Sequence, residues 1–437
     1  MVTPNLSSLK ILQDSSLHQH EITRNIRADQ GNINEERIRR QIEEIKDEMN
    51  PSLDPRAKMH LDSTKIFYPQ HRERLIAWSK GELVAPITID MALTQKCSFS
   101  CTYCYAGLQY NEASPANWET YKNLLDDFAS IGHRSGQGVK GVSLVSDGES
   151  TENPFFHDFI LYGKSKGIDM ASGTNGYLLD PKKYFELLPA LTYLRFNISA
   201  GEKEAYKKIM GVGEKQWSRT LENIREAVRV KKINNLQTTI GLQMVLLPEY
   251  ADQVIPLAKL GKELGVDYTV IKHCSDDEKG SLGVDYSWYH SSLARDVLVA
   301  AESLSTEDYS VQVKWSKILT GRDRKYSKCF GTPLLFQMSG TGIVAPCGSF
   351  FGNDYEKYHI GNYTQHRFKD VWASSRYKTV TDFLASDKFN PQHMCATLCL
   401  QDKVNEALYD WVIDKHADLS VLPDYSDRPI PLHLNFI

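Results

Sequence analysis

Three cysteines, Cys97, Cys101 and Cys104, stand at C-x3-C-x2-C spacing directly after a strand-like run, Pro86–Leu93. Such short spacings let one loop aim three sulfurs at a single point. Three thiolates on a four-iron cluster leave one iron without a protein ligand, and chemistry can occur at that iron. A zinc knuckle or three unrelated buried thiols are the alternatives, although a fourth ligand at zinc-finger spacing is missing.

The composition bounds the class of protein. The chain has 437 residues, of which 41% are hydrophobic, with a net charge of −4 and a pI near 6.4. This balance gives no general basic field for nucleic acid. No apolar run approaches the roughly 20 residues that span a bilayer, and the N-terminus has no signal-like segment. We therefore expect a cytoplasmic protein in a reducing compartment, which favours ligand roles over disulfides for its eight cysteines.

Strand-like and helix-like segments alternate from Ile87 onward. Six such repeats argue for parallel strands with helices outside, and six are too few for a closed eight-stranded barrel. We predict an α/β fold, a partial (β/α)6 TIM-like barrel followed by a small α+β domain with a β-hairpin and helix. The reactive groups of such barrels lie at the carboxyl ends of the strands. The predicted strands are Ile87–Leu93, Gly141–Val145, Asp169–Gly173, Tyr193–Ser199, Thr238–Leu246 and Asp267–Lys272.

The rest of the chain divides around this barrel. We predict an N-terminal helical extension (1–85), the barrel (86–300), a cysteine-bearing domain (320–410) and an extended tail (411–437). Within the extension, Ile38, Ile42 and Ile45 form one stripe of a helix over Asn34–Met49. The segment Pro55–Ser79 wraps the barrel or, alternatively, docks a leader peptide.

Polar residues mark the predicted strand ends. Ser146-Asp147-Gly148-Glu149 follows the second strand, and Thr174-Asn175-Gly176 follows the third. In the fourth strand Arg195, Asn197 and Ser199 alternate with apolar residues. Period two puts this polar set on one face, which is the inner face because helices cover the outer one. Satisfied structural polar residues are the alternative for each position.

The fifth and sixth predicted strands end at Gln243 and at Lys272-His273-Cys274. A cation and an imidazole at the end of a strand predict a group of side chains that faces the substrate. Only one of Lys272 and His273 can point inward along a regular strand. Cys274 stands alone and reads as a small buried side chain.

A second set of cysteines lies near the C-terminus: Cys329, Cys347 and the pair Cys395 and Cys399. Between the first two lies Phe336–Val344, whose glycine-bearing turn predicts a β-hairpin. A helix is expected through Phe368, Val371 and Trp372. Zinc bound by four thiolates is the alternative to an iron–sulfur cluster here.

The Cys97 loop, with the aromatic Tyr103 before its last cysteine, resembles the signature loop of the radical S-adenosylmethionine (radical SAM) enzymes. The resemblance implies a [4Fe–4S] cluster on Cys97, Cys101 and Cys104. Where this family usually carries a Gly-Gly-Glu type motif, the chain has Asp147-Gly148-Glu149, so the role of Asp147 is open. Gly148 still allows close backbone approach, and Glu149 supplies the acceptor for the methionine ammonium.

The other cofactor contacts follow from the same resemblance. Asn197 and Ser199 match ribose-contacting positions, and Arg195 faces either the cofactor carboxylate or the substrate. The cofactor-binding residues so implied are Tyr103, Asp147, Gly148, Glu149, Thr174, Asn175, Asn197, Ser199 and Gln243. The candidate catalytic residues are Arg195, Lys272 and His273.

The second cysteine set resembles the SPASM/twitch auxiliary-cluster domains appended to radical SAM enzymes. A full SPASM domain uses about seven cysteines for two clusters. Since this chain offers Cys329, Cys347, Cys395 and Cys399, the shorter twitch form with one [4Fe–4S] cluster is implied. Four thiolates would saturate that cluster, which would then move electrons without binding substrate.

These resemblances together imply a radical SAM oxidoreductase with two [4Fe–4S] clusters and S-adenosylmethionine. A 5′-deoxyadenosyl radical removes hydrogen from the substrate, and the auxiliary cluster accepts the remaining electron. A sugar or aminocyclitol alcohol is the first choice of substrate; crosslinking or epimerisation of a ribosomal peptide is the alternative. A non-catalytic iron–sulfur or zinc protein is the alternative hypothesis from another functional class. The expected partners are a small-molecule substrate or a peptide and a one-electron reductant such as flavodoxin or ferredoxin, without nucleic acid or membrane.

Overall fold

The fold is built on one curled sheet, seen in a computed structural model that describes residues 33–49, 63–109, 116–132, 137–321, 323–397 and 399–437. All six predicted strands are confirmed, with ends that differ by one or two residues. Among the described residues the strands are β1 (Thr88–Met91), β2 (Gly141–Leu144), β3 (Asp169–Thr174), β4 (Leu191–Asn197), β5 (Thr239–Leu246), β6 (Tyr268–His273), β7 (Ser310–Val313), β8 (Leu335–Met338), β9 (Ile343–Ala345) and β10 (Gly361–Asn362).

The strand order joins the barrel and the C-terminal unit in one sheet: β10-β9-β8-β1-β2-β3-β4-β5-β6-β7. Strands β1 to β7 pair in parallel in chain order, which confirms the predicted architecture. The predicted hairpin is β8–β9, and β8 pairs in parallel with β1. The sheet therefore runs across the predicted boundary at residue 300, since both β7 and β8 extend it.

Helices cover the outer face of the sheet. No helix in the described ranges is long and apolar enough to cross a membrane. Within those ranges the α-helices are α1 (Glu35–Glu44), α2 (Pro69–Ser79), α3 (Trp118–Ser130), α4 (Phe156–Ser165), α5 (Tyr184–Ala190), α6 (Lys203–Met210), α7 (Glu214–Ile233), α8 (Val254–Leu264), α9 (Ser292–Glu302), α10 (Trp315–Thr320), α11 (Phe368–Trp372), α12 (Ser375–Leu384), α13 (Pro391–Met394) and α14 (Asp402–Tyr409).

The N-terminal helix α1 packs on the outside of the barrel. Asn34 caps it by accepting a hydrogen bond from the Arg37 backbone N–H. Ile38 and Ile45 are buried in the main core, and Arg37 pairs with Glu202 and Asp252. Part of the predicted extension, residues 1–32 and 50–62, lies outside the described residues.

The end of the tail closes the amino end of the barrel. The Asn435 side chain donates to Asp169, the first residue of β3, at 2.8 Å, and the Thr88 hydroxyl of β1 donates to the Asn435 carbonyl at 2.8 Å. The His433 ring lies 2.9 Å from the Thr239 hydroxyl at the start of β5. The tail was predicted to be extended, but residues 432–435 form turns, with the Phe436 backbone N–H donating to the His433 carbonyl at 3.1 Å. The inserted position depends on contacts that no local pattern records.

We call the tail residues that close this end of the barrel, 433–437, the barrel floor. The half-buried ring of Phe436 packs within it. The Phe436 ring meets Tyr193 of β4 edge-on, with ring centroids 5.2 Å apart. We predict that Phe436→Ala lowers the free energy of unfolding by about 1–3 kcal/mol, because it removes this packing.

Differential scanning calorimetry measures the effect. Leu432→Ala is the matched control, since that side chain is 53% exposed in the same tail. Equal melting temperatures for Phe436→Ala and wild type would show that the floor does not contribute to stability.

Candidate functional site

The inner face of the sheet encloses one large cavity of about 1490 Å³. Residues from β1, β4, β5, β6 and β8 line it together, which requires the sheet to curl around it. Many of the residues singled out in the sequence meet here. The cavity lining includes Cys97, Cys101, Tyr103, Cys104, Asp147, Gly148, Glu149, Asn175, Arg195, Asn197, Gln243, Lys272 and Cys347.

The end of helix α6 holds the three-cysteine loop in place. The Ser100 and Thr102 backbone N–H groups donate to the carbonyls of Met210 and Ile209 at 3.2 and 2.9 Å. The last four carbonyls of an α-helix have no hydrogen-bond donor inside the helix, and these two are among them. Gly211 ends the helix with φ +62°, and a Cβ there would lie 2.3 Å from the Ser100 carbonyl oxygen. A glycine is therefore required where helix and loop meet.

The chain between β1 and this loop is held between two glycines. A Cβ on Gly148 would lie 2.1 Å from the Thr94 carbonyl oxygen, and Gly148 has φ +82°. On the other side, a Cβ on Gly340, in the turn of the β8–β9 hairpin, would lie 2.1 Å from the Thr94 carbonyl carbon. The cysteine loop, the 147–149 motif and the hairpin thus contact one another through backbone.

Asp147 joins the same three segments by hydrogen bonds. Its carboxylate accepts from the Gln95 side chain at 2.8 Å, the Ser339 hydroxyl at 2.6 Å and the Gly340 backbone N–H at 2.9 Å. Burial raises the pKa of Asp147, and these donors oppose that rise. The position where the family usually has glycine therefore carries a structural cross-link in this chain.

Glu149 connects the ends of β2 and β3. Its carboxylate is 4% exposed and accepts hydrogen bonds from the hydroxyls of Thr151 and Thr174, both at 2.8 Å, and from the Asn175 backbone N–H at 2.6 Å. Burial raises the pKa of Glu149, while the donors lower it. The Asn175 amide in turn lies 3.9 Å from the Cys97 sulfur. One carboxylate thus orders the turn beside the first cysteine.

The inward polar face predicted for the fourth strand is observed for Arg195 and Asn197, whereas Ser199 lies beyond the end of β4. Arg195 and Asn197 line the cavity, and the Asn197 side-chain oxygen accepts from the Gln243 amide at 2.9 Å. Ser199 is fully buried and accepts from the Val245 backbone N–H at 3.2 Å, outside the cavity lining. Thr174 is likewise buried outside the lining, where it supports Glu149.

The register of β6 separates Lys272 from His273. Lys272 lines the cavity, whereas His273 is buried on the other side, with its ring near Tyr286 and Tyr289. Burial lowers the pKa of His273 to about 4. Its Nδ1 lies 2.7 Å from the carbonyl oxygen of Cys274, and Cys274 is itself fully buried, as expected. His273 therefore does not line the cavity, in contrast to its predicted role as a catalytic candidate.

The four C-terminal cysteines form a second group. Burial is the main cause that raises the pKa of Cys399 to about 12. The charge of Arg324 opposes this rise, and the charges of Cys329 and Cys347 contribute to it. Burial likewise raises the pKa of Cys395, with further contributions from the same three thiols. Only Cys347 of this group lines the cavity. The second group therefore lies behind one wall of the cavity.

Sequence reasoning missed several polar residues of the lining. Asp90 of β1 faces the cavity beside Gln337 of β8, whose amide donates to it at 3.4 Å. Lys314 and Lys317 follow β7 and also line the cavity. Thr88 and Asp90 alternate with apolar neighbours in β1, so the period-two rule that found Asn197 would also have found Asp90.

Comparison with known proteins assigns the family. The model of the radical SAM superfamily matches residues 91–260, and an iron–sulfur cluster-binding domain model, SPASM, matches residues 329–400. The chain belongs to the radical SAM superfamily and carries a C-terminal SPASM domain. The radical SAM domain binds a [4Fe–4S] cluster and S-adenosylmethionine, and the SPASM domain binds additional iron–sulfur clusters.

Individual relatives are distant. The AdoMet-dependent heme synthase of Methanosarcina barkeri (strain Fusaro / DSM 804) is 22% identical over 67% of this chain and 83% of its own length. The Fe-coproporphyrin III synthase of the same organism is 24% identical over 71% and 78%. The crystal structure of Streptococcus suis SuiB bound to S-adenosylmethionine matches with TM-score 0.54 and 16% identity over 72% of each chain, which shows the fold.

The residues fit the groups that these radical SAM and SPASM domains bind. Desolvation by the surrounding protein raises the pKa of Cys97 to about 12 and raises that of Cys101 well above its usual value. Such thiols become thiolates when they bind a metal. Within the described residues, no three His, Cys, Asp or Glu side chains could hold a single metal ion. An iron–sulfur cluster does not require three protein ligands around one metal ion, because each of its thiolates binds a different iron.

We predict that Glu149→Gln weakens S-adenosylmethionine binding by about 1–3 kcal/mol, because it removes a charged hydrogen-bond acceptor. Isothermal titration calorimetry on the anaerobically reconstituted protein measures this change. Iron content is expected to stay unchanged.

Glu152→Gln, the same substitution three residues along the chain, is the matched control. Unaltered cofactor affinity in Glu149→Gln would leave Glu149 with only its role in the Thr174–Asn175 turn.

Proposed function

We propose that this protein is a radical SAM oxidoreductase that oxidises an alcohol of a sugar or aminocyclitol by two electrons. The observation that supports this most is the shared cavity. The three-cysteine loop, the strand-end polar residues and Cys347 of the second cysteine group all line it. A substrate in this cavity would lie between two cysteine groups. A two-electron oxidation of this kind requires such a position, because one group would serve radical formation and the other would hold the acceptor of the remaining electron.

The chain's own residues take the following roles in this proposal. Cys97, Cys101 and Cys104 would hold the cluster with an open iron, and Cys329, Cys347, Cys395 and Cys399 would hold the auxiliary cluster. Glu149 would bind the cofactor ammonium, while Asn197 and Gln243, already hydrogen-bonded to each other at 2.9 Å, would face the ribose. The boundaries 1–85, 86–300, 320–410 and 411–437 are retained as the proposed domain division.

When bound, the two clusters and S-adenosylmethionine supply the radical that takes a hydrogen atom from the carbinol carbon and an acceptor for the electron that remains. The hydroxyl proton must then leave the substrate. Asp90 lines the cavity, and burial raises its pKa to about 6, so its carboxylate is ionised at neutral pH and able to accept that proton. The barrel floor excludes water from this site. Flavodoxin or ferredoxin is the proposed source of the first electron.

A tetrapyrrole substrate is the second candidate. Two relatives that cover two thirds or more of this chain are named as heme and Fe-coproporphyrin III synthases. The likeness to SuiB, which has also been solved with the precursor peptide SuiA, concerns the fold and adds no weight to a peptide substrate.

Incubating the reconstituted protein with S-adenosylmethionine and a metabolite extract tests the choice. Mass spectrometry should find a polyhydroxylated compound that has lost two hydrogen atoms. A modified tetrapyrrole or peptide in its place would overturn the sugar proposal.

Iron analysis tests the two-cluster arrangement. We predict about eight iron atoms per chain after anaerobic reconstitution, because two four-iron clusters are proposed. The Cys97→Ala/Cys101→Ala/Cys104→Ala variant should keep about half. Cys274→Ala, which removes a buried cysteine outside both groups, should keep all of it. Stoichiometric zinc without broad visible absorption would contradict the assignment.

The auxiliary group can be removed by itself. We predict that the Cys395→Ala/Cys399→Ala variant still forms 5′-deoxyadenosine but little oxidised product, because the substrate radical then has no electron acceptor. Chromatography of both products measures the ratio, which should be one in wild type.

Folding is the risk for this variant, because a small metal-bearing domain depends on its metal for stability. Circular dichroism and the absorption of the remaining cluster are therefore controls, with Cys274→Ala as the matched variant. Oxidised product at the wild-type rate from a folded double variant would favour a redox-neutral reaction.

A further inference from the structure

The charge of the cavity differs from that of the chain. Its lining holds seven lysines and arginines but three acids, although the whole chain carries a net charge of −4. Two of the acids, Asp147 and Glu149, are engaged at the cofactor end by the hydrogen bonds described above. Four of the cations form what we call the cation patch: Arg195, Lys272, Lys314 and Lys317.

Strand register brings the patch together. Ile271 of β6 pairs with Val313 of β7, so the next residues, Lys272 and Lys314, are neighbours at the carboxyl ends of the two strands. Lys317 follows in the first turn of α10, where its backbone N–H donates to the Lys314 carbonyl at 2.9 Å. Arg195 reaches the same cavity from β4, two strands away in the sheet.

The patch lacks ion pairs in the part of the chain that the structure describes. No carboxylate there lies within 4.0 Å of a charged nitrogen of these four residues, whereas lysines such as Lys231 and Lys403 have acidic partners. Arg195 Nε is buried without a hydrogen-bond partner among those residues. Asp90 is the acid that shares this part of the lining, with one carboxylate facing four cations.

The guanidinium of Arg195 lies over the Tyr193 ring, 5.5 Å from its centroid, but grouping four cations without an ion-paired carboxylate still costs the folded protein stability. Burial, and then the charges of Arg195 and Lys317, lower the pKa of Lys272 to about 7. Burial lowers the pKa of Lys314 as well, with repulsion from Lys317, Arg195 and Lys272. Like charges held together at a cavity wall are commonly retained for binding.

We propose that the cation patch binds a multiply charged oxyanion of the substrate, either a phosphate ester or a pair of carboxylates. Arginine matches both groups with its planar fork, and lysines add point charges that suit phosphate. This inference rests on the proposed function, since it names the substrate class for that cavity. The substrate alcohol would then be carried on an anionic molecule.

The cofactor carboxylate does not account for the patch. Arg195 shares β4 with the proposed cofactor residue Asn197. However, Lys272 lies near the end of β6 and Lys314 directly follows β7, beyond the ends of β2 to β5 where most of the proposed cofactor residues lie. Lys317 lies toward the second cysteine group, close enough for the charges of Cys399 and Asp402 to act on it. A single carboxylate also falls short of the charge that four cations offer.

Calorimetry on the reconstituted protein, saturated with S-adenosylmethionine, tests the inference with two probes. Inorganic pyrophosphate represents the phosphate ester, and succinate represents paired carboxylates. We expect one of them to bind and to raise the melting temperature. The Lys272→Met/Lys314→Met variant should lose about tenfold or more in affinity, because two charge-assisted contacts are gone.

The variant should also melt at a higher temperature than wild type without an anion, because repelling charges have been replaced by an apolar side chain of similar length. A merely structural role would give the opposite shift. Lys182→Met/Lys183→Met removes the same charge from exposed positions and is the control.

Absence of binding by both probes, or equal binding by wild type and the Lys272/Lys314 variant, would overturn the inference. Loss of cofactor affinity in that variant would reassign the patch to S-adenosylmethionine and overturn it too. The binding and melting measurements require no turnover, and 5′-deoxyadenosine formation is measured separately. If neither anion binds but 5′-deoxyadenosine still forms, only this inference is rejected. If an anion binds but no 5′-deoxyadenosine forms, only the proposed function is rejected.

Discussion

The site depends on the close contact of three chain segments around Thr94 and Gln95. Gly148 and Gly340 leave no room for side chains on either side of this short connection, and the Asp147 carboxylate fastens all three segments with hydrogen bonds. The cysteine loop, the cofactor motif and the SPASM hairpin therefore cannot move independently. A glycine at position 147, usual in this family, would keep the backbone contact but remove the cross-link.

The cavity that this contact frames is electrostatically divided. The acidic residues Asp147 and Glu149 follow β2, beside the three-cysteine loop, whereas three of the four residues of the cation patch lie at the ends of β6 and β7. A cofactor that presents an ammonium group suits the first side, and an anionic substrate suits the second. Such a division would orient the substrate between the two cysteine groups before any chemistry begins, which is where positioning contributes most to rate.

The sequence predicted what local patterns control. Six strands were placed because strand-like and helix-like segments alternate along the chain, and the period-two pattern of the fourth strand placed Arg195 and Asn197 on the inner face. The pairing of β8 with β1 and the insertion of Asn435 under β3 were not predictable, because both join residues more than 200 positions apart. Lys314 and Lys317 belong to no motif, and only folding brings them beside Lys272. Whether Lys272 or His273 faced inward also required the observed register.

The central claim is that the Cys97 loop holds a cluster whose open iron faces the cavity. Electron paramagnetic resonance of the dithionite-reduced Cys395→Ala/Cys399→Ala variant isolates that cluster. Adding S-adenosylmethionine should change its spectrum, because the cofactor would bind the iron that no cysteine occupies. A spectrum that stays the same at saturating cofactor would contradict the account.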